Sequence, residues 1–475
     1  EILRGPASHL YGSEAIGGVI QIFTKSGAGK PRPNFSVGYG SYNTRKLSGG
    51  LSGEADGTRF SLQAGQTESD GISAYSSGNP GYLDKNRDSD AYRNTNVSAK
   101  LARTLAEGQE IGLDVFGSNG RSHYDGYSSN VDYYNDHALS AIGVYSKNRV
   151  TSDWHSTVRV SQSGDHYNDF AAAKTVFNTD QNQFSWQNDI KLGVGQAMLG
   201  MEYLEQKVGG TTRYAVDVRR VESFFAGYQA RLGLHSVQAN YRYDDNSQFG
   251  AHNTGYLGYG YQFAPQWRAT GSISTAFKAP TFNNLYYPGS GNLDLRPETS
   301  LNKEIGVHYD QGVHHLSAVY FDNQVKDLIS YPAPTYAVSQ IQKASLTGTS
   351  LSYQGQLGGY GARASLDFQS PEDRASGRLL TRRAREHASL ALDKRVGAWF
   401  LGGEWYVSSY RYDDDANTRR MGGYGLLNLT AKRSLDGDWA VQARVNNLFD
   451  KRYELAQGYG TPGVNVFVGL SYQPK

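Results

Sequence analysis

The chain of 475 residues carries a formal net charge of +2, no Cys and a mean hydropathy of −0.58. Near-neutral charge argues against nucleic acid as the main partner. The lack of Cys excludes a disulfide framework and thiolate metal sites, and no apolar run approaches the roughly 18 residues of a membrane-spanning helix.

Composition nevertheless points away from an ordinary soluble domain. Tyr at 35 and Gly at 56, against Pro at 13, read as an all-β chain. The first residue is Glu1 and no signal-peptide pattern follows it, so the chain reads as mature or truncated at its start. Residues 1–30, "EILRGPASHLYGSEAIGGVIQIFTKSGAGK", are Gly-rich and hold one apolar strand, expected at Val19 to Phe23.

Beyond them the pattern alternates with a period of two. In "RFSLQAG", Phe60, Leu62 and Ala64 oppose Ser61 and Gln63; in "WRATGSIS", Trp267, Ala269 and Ile273 oppose Arg268, Thr270 and Ser272. In "WAVQARVNN", Trp439, Val441, Ala443 and Val445 oppose Gln442, Arg444 and Asn446, and the same holds for Val466 to Tyr472. Such strands suit a soluble sandwich or a membrane barrel with a polar lumen.

Turn spacing separates the two. Short turns recur at "GEADGT", "LAEGQE", "NRVTSD", "GVGQ", "LGLH", "APQ", "DQGVH", "LGGYG", "KRVG" and "LDGD", each pair flanking two strands and a longer polar connection. Short inner turns alternating with long outer loops mark an outer-membrane barrel, and ten inner turns imply about 22 strands. Trp154, Trp267, Trp399 and Trp439 each follow a short turn closely, as an interfacial aromatic girdle requires. A barrel that wide has a lumen that is normally plugged.

The outer loops hold the acidic groups. "DKNRDSD" places Asp84, Asp88 and Asp90 with Asn86 in seven residues, offset only by Lys85 and Arg87. Calcium takes six to eight oxygens at about 2.3–2.6 Å, and alternating acids bring several oxygens to one point. Asp84, Asn86 and Asp88 sit as at positions one, three and five of an EF-hand loop. Ser89 and Thr95, however, stand where that loop needs Gly and Glu. A true EF-hand is thereby disfavoured, leaving two readings open: solvated loop acids, or a site shared between two loops. No G-x-S-x-G or H-E-x-x-H occurs, and the His residues lack metal spacing, so no enzyme is expected.

The N-terminal segment resembles the end of the plug domain in TonB-dependent outer-membrane receptors. The matching residues are Glu1, Arg4, Gly5, Pro6, Ser8, Leu10, Tyr11, Gly12, Ala15, Gly17, Gly18, Val19 and Ile20. "FKAPTFNNLYYPGSGNLDLRPETSLNKEIGV", with Pro297 and Glu298, resembles that family's mid-barrel motif. "VNNLFDKRYE", with Asn447, Leu448 and Phe449, resembles its penultimate-strand motif. The resemblance implies a plug remnant at 1–30 and a transmembrane antiparallel β-barrel of about 22 strands at 31–475. It places the chain in the bacterial outer membrane as a monomer among lipid and lipopolysaccharide, coupled to TonB through a segment outside this sequence. Tyr472 is expected to serve as the terminal aromatic, with Gln473 to Lys475 dangling.

Within the family the chain is most similar to cobalamin (vitamin B12) transporters. The likeness lies in "YELAQGYGTPGVNVFVGLSY", in the loop "GISAYSSGNPGYLDKNRDSDAYRN" and in "HYDGYSSNVDYYNDHAL". It implies calcium in the outer loops on Asp84, Asp88, Asp90, Tyr124, Asp125 and Asp136, with Ser73 replacing a frequent Asp. Tyr127, Tyr133, Tyr134, Tyr286 and Tyr287 are candidates for a ligand mouth, because Tyr is rigid and amphipathic. Girdle or loop packing accounts for them equally. The implied function is TonB-dependent cobalamin uptake. Its rivals are a ferric-siderophore or other metal-chelate receptor of the same architecture, a passive porin-like channel, and a barrel enzyme.

Overall fold

The computed structural model describes residues 1–75, 88–126, 131–171, 173–332, 337–435 and 437–474. Among them, 22 antiparallel strands form one closed barrel, from Arg32–Gly40 to Asn465–Tyr472. Closure comes from pairing the last strand with the first, Phe467 opposite Gly40 and Tyr472 opposite Phe35. No strand edge of this barrel is left open, which is the condition for a sheet to cross a bilayer.

Burial runs opposite to that of a soluble sandwich. In the strand Glu298–Gln311, the polar Glu298, Ser300 and Asn302 are buried while Leu301, Ile305 and Val307 are exposed. Ser61 is buried beside an exposed Leu62, and Ser223, Asp244 and Asn246 are buried in their strands. The polar face thus lines the lumen and the apolar face meets lipid.

All ten short turns fall between strands, at one end of the barrel. Trp154, Trp267, Trp399 and Trp439 are each the first residue after such a turn to enter a strand. Trp439 pairs in register with Tyr472, their rings 5.0 Å apart, so the terminal aromatic joins the inner girdle. Gln473, expected to dangle, is held: its N–H donates to Asp438 O at 2.9 Å.

The opposite end departs from uniform long loops. Residues 41–43 and 247–249 connect strands as tightly as the inner turns do. Length is concentrated in residues 70–91, 279–297, 409–423 and 447–464.

The N-terminal segment lies against the lumenal wall. Its strands Ile2–Arg4 and Gly18–Ile20 pair with each other, and helix α1, Ser8–Tyr11, joins them. The second strand ends three residues earlier than the apolar run suggests: Gln21 still exchanges two hydrogen bonds with Glu1, both 2.9 Å, and Ile22 and Phe23 lie past the start of the first strand. Helix α1 packs on strands His235–Asn246, Gly250–Ala264 and Trp267–Lys278.

Candidate functional site

Two regions carry functional chemistry: the outer loops, and the contact between the N-terminal segment and the barrel wall.

In the outer loops, the two ends of residues 70–91 meet at the loop base. Gly71 has φ +69, and a Cβ there would overlap Asp90 O, so only Gly allows the two arms to meet. The Asp90 N–H then donates to Ile72 O at 3.0 Å. This fold aims two backbone donors at two acids. The Ala74 N–H donates to Asp90 Oδ2 and the Tyr75 N–H to Asp125 Oδ2, both at 2.7 Å. Ser73, in place of the Asp frequent in similar loops, donates its hydroxyl to Asp125 Oδ2 at 3.4 Å.

Asp125 is 8% exposed, and its Oδ1 is buried without a hydrogen-bond partner among the described residues. Burial raises the Asp125 carboxyl above the usual carboxylate range, with Asp88 adding to the effect. Asp90 is pushed up to about 6 by burial, and the charges of Asp125 and Asp88 push the same way. Asp88, Asp90 and Asp125 are therefore mutually repelling, and no salt bridge to a described residue relieves them. Other acids on the same strands are compensated. Asp114 has Arg159 and Lys100, and Asp136 has both oxygens on Arg121, at 2.7 and 2.9 Å.

The sequence resemblance implies six calcium ligands, and the structure divides them. Asp90 and Asp125 are brought together on the neighbouring N–H groups of Ala74 and Tyr75, and the charge of Asp88 acts on both. Asp136 is committed to Arg121, and the Tyr124 hydroxyl donates to Asp169 at 2.6 Å, its pKa raised by burial and then by that carboxylate. Asp84 lies outside the described residues, as does Tyr127. Among the described residues no group of three or more acidic or His side chains stands close enough to hold a metal ion. The donor chemistry nevertheless suits calcium. The oxygens are hard, and among the described residues one of them is buried without a hydrogen-bond partner and none of the three acids has a salt bridge.

The aromatic candidates also separate. Tyr133 is buried against Gly126 and tilted on Tyr124, and Tyr134 stacks on Phe170 at 4.6 Å under Arg121. These pack the loop. Tyr287 is 48% exposed and stands at the end of helix α2, Phe282–Tyr286, whose N-terminus Thr281 caps. Tyr286 accepts from Gln248 Nε2 at 3.1 Å, and Tyr214 and Tyr331 bond Asn283 and Asn284 of the same helix. Aromatic groups thus converge on α2 at the mouth. Residues 380–383 and 413–415 line a cavity of 260 Å³ that Tyr331 also borders. Within it the Arg383 guanidinium is desolvated, its pKa lowered by burial, and its Nη1 lacks a hydrogen-bond partner among the described residues.

The motif residues explain the lumenal contact. Arg4 Nη1 lies 3.0 Å from Asp367 Oδ1, and Gly5 faces Glu304. The exposed Tyr11 hydroxyl lies 3.4 Å from Gln21 Oε1. Gly12, with φ +77, lets the backbone rest on Arg242: a Cβ would be 3.1 Å from Nη2. Arg242 is itself 3% exposed and pairs with Asp244 at 2.8 Å and Glu202 at 3.2 Å. Pro297 and Glu298 form a loop–strand junction, where Glu298 Oε1 accepts from the Ile329 N–H at 2.7 Å. Asn447 pins the last outer loop. It donates to Lys451 O and Pro462 O and accepts from the Lys451 N–H, while Leu448 N–H bonds Leu427 O and Phe449 stays exposed.

Sequence reasoning missed the donors of Ala74 and Tyr75, because backbone N–H groups leave no side-chain signature. It also missed Arg242, Asp244 and Glu202. Their signal was present in "YRYDDN", where Arg242 and Asp244 share the lumenal face of an alternating strand.

Comparison with known proteins gives the same frame. The family described as "TonB dependent receptor-like, beta-barrel" matches residues 7–448. Two curated relatives are vitamin B12 transporters BtuB. The one from Photobacterium profundum is 27% identical, covering all of this chain and 79% of the relative. The one from Vibrio vulnificus is 29% identical with the same coverage. Among solved structures, the siderophore receptor PirA from Acinetobacter baumannii superposes with a TM-score of 0.86 at 18% identity, covering 99% of this chain and 84% of that one. A ferric enterobactin receptor PfeA mutant from Pseudomonas aeruginosa gives 0.85 at 18%, with the same coverage. At such identity these structures share the fold. Barrel, burial pattern, motif placement and family match agree: the chain belongs to the TonB-dependent receptor β-barrel family, and is a transporter barrel of the bacterial outer membrane.

Proposed function

We propose that this barrel takes up cobalamin across the outer membrane, driven by TonB, with calcium shaping its outer face. The observation that carries the reading is the set Asp88, Asp90 and Asp125 at the loop base, without a salt bridge among the described residues, in a chain with two curated relatives that are vitamin B12 transporters. Asp88, Asp90 and Asp125 would supply oxygens to the cation. Bound calcium would supply positive charge that lets the acids approach, so that long loops are ordered before ligand arrives. Aromatic side chains around α2, with Tyr287 outermost, would meet the apolar faces of the ligand.

No covalent chemistry is involved, and the protein acts as a carrier rather than an enzyme. Transport requires the N-terminal segment to yield. Its Arg4–Asp367 pair is 69% exposed on the Arg side and of the weak, separable kind. The buried Arg242 network belongs to the wall and stays with it.

The test is growth on limiting cyanocobalamin of cells whose own cobalamin receptor is deleted and which express the complete receptor. TonB-dependent rescue supports the reading, and absence of rescue by a correctly inserted receptor refutes it. A second reading is favoured by Arg383: a desolvated guanidinium beside the outer cavity, one nitrogen of which has no hydrogen-bond partner among the described residues, suits an anionic metal chelate such as a ferric siderophore. TonB-dependent growth on such a chelate, without cobalamin rescue, would select it.

A further inference from the structure

The same two residues that hold the acids also touch the last outer loop. Ala74 uses its N–H on Asp90 and its carbonyl on Gly460, whose N–H donates at 2.8 Å. Tyr75 uses its N–H on Asp125 and its ring on Tyr459, with centroids 5.4 Å apart, and the two residues form an antiparallel bridge. A dipeptide with both faces engaged in this way joins two loops far apart in sequence.

On the far side, the loop 447–464 is tied to itself. The Tyr459 N–H donates to Ala456 O at 3.1 Å, and Gly458 N–H donates to Glu454 Oε2 at 3.1 Å. Glu454 and Gly460 form a second bridge, and Thr461 Oγ1 donates to Tyr453 O at 2.8 Å. Asn447 and Asp450 close the base, Asp450 accepting from the Val464 N–H at 2.8 Å. A loop braced along its length moves as a unit, so a displacement at Tyr459 and Gly460 reaches all of it.

We propose that Tyr75 and Tyr459 form a latch that passes the state of the acidic trio to the last outer loop, making both tyrosines positioning residues for ligand capture. This rests on the calcium reading above. Without a cation, repulsion among Asp88, Asp90 and Asp125 drives the arms carrying Asp90 and Asp125 apart, and the Ala74–Tyr75 dipeptide shifts with them. With a cation, both acids are drawn to fixed positions. The dipeptide is set, and Tyr459 and Gly460 dock on it. The Tyr75 and Tyr459 rings supply contact area at low entropic loss, having few rotatable bonds.

The test is amide hydrogen exchange across 447–464 in the complete receptor in detergent, with calcium or with chelator, alongside calorimetric titration of calcium on the same samples. In the wild type, calcium slows exchange at Gly460 and its neighbours about tenfold, the size of one hydrogen bond with a ring contact. Tyr459→Ala binds calcium as well as wild type does and loses that slowing, whereas Tyr459→Phe keeps it. Tyr75→Ala repeats the loss from the other side of the latch. Calcium binding to wild type without slower exchange at 447–464 overturns the latch alone, as does slowing that survives in Tyr459→Ala. No calcium binding to wild type overturns the calcium reading and the latch with it.

Discussion

Replacing Arg242 with Met would show how the barrel wall beneath the N-terminal segment is held. The Met side chain keeps the apolar stem and removes the charge. Arg242 neutralises Asp244 and Glu202 and bonds Ser223 Oγ at 2.8 Å, while Ser223 donates to Asp244 at 2.6 Å. Asp244 is fully buried, so its charge has no recourse to water once the guanidinium is gone. Removing one partner of a buried pair costs about 3–5 kcal/mol, chiefly from the stranded charge. Arg242→Met is therefore expected to lose about that amount in equilibrium guanidinium unfolding, followed by tryptophan fluorescence in detergent. Arg242→Met with Asp244→Asn removes the stranded charge and should recover at least about half of the loss, since the amide keeps its bond to Ser223. A single variant within about 1 kcal/mol of wild type, or a double variant as unstable as the single, would refute the reasoning.

Burial lowers His9 to about 4, so the folded state prefers the neutral imidazole. The stability it contributes is full above the ordinary value near 6.5 and is lost as pH falls toward 4, to a limit of roughly 3 kcal/mol. Hydrogen exchange of residues 1–20 should accelerate over that window in wild type, and less so in His9→Phe. Gly71→Ala places a Cβ on Asp90 O and should open the base of the loop 70–91, weakening calcium binding about tenfold or more by calorimetry. Asp125→Asn keeps the bond from the Tyr75 N–H and removes the buried charge. It should abolish calcium binding while leaving barrel stability within about 1 kcal/mol or raising it.

The barrel was legible because its rules are local. Ser61 against Leu62 shows the period of two, and inner turns such as "DGT" hold residues at positive φ, here Asp56 and Gly57. Trp154, Trp267, Trp399 and Trp439 showed their place because an interface selects amphipathic rings directly after a turn. The outer end was less legible. Three-residue connections such as 247–249 carry no signal that separates them from inner turns, since both are short. The candidate site was readable in its acids and not in its pairing. Asp125 and Asp136 look alike in sequence, and only the cross-strand register of Arg121 with Asp136 shows which acid is already compensated. Likewise Tyr124 and Tyr133 form loop packing, whereas Tyr287 faces out, a difference set by tertiary contacts rather than by residue type.

The most direct measurement is equilibrium binding of cyanocobalamin to the complete receptor in detergent, first with calcium and then with chelator. The account predicts tight binding with calcium and a marked loss on chelation, restored when calcium is returned. No cyanocobalamin binding at any calcium concentration, by a receptor that binds a ferric siderophore, would contradict it.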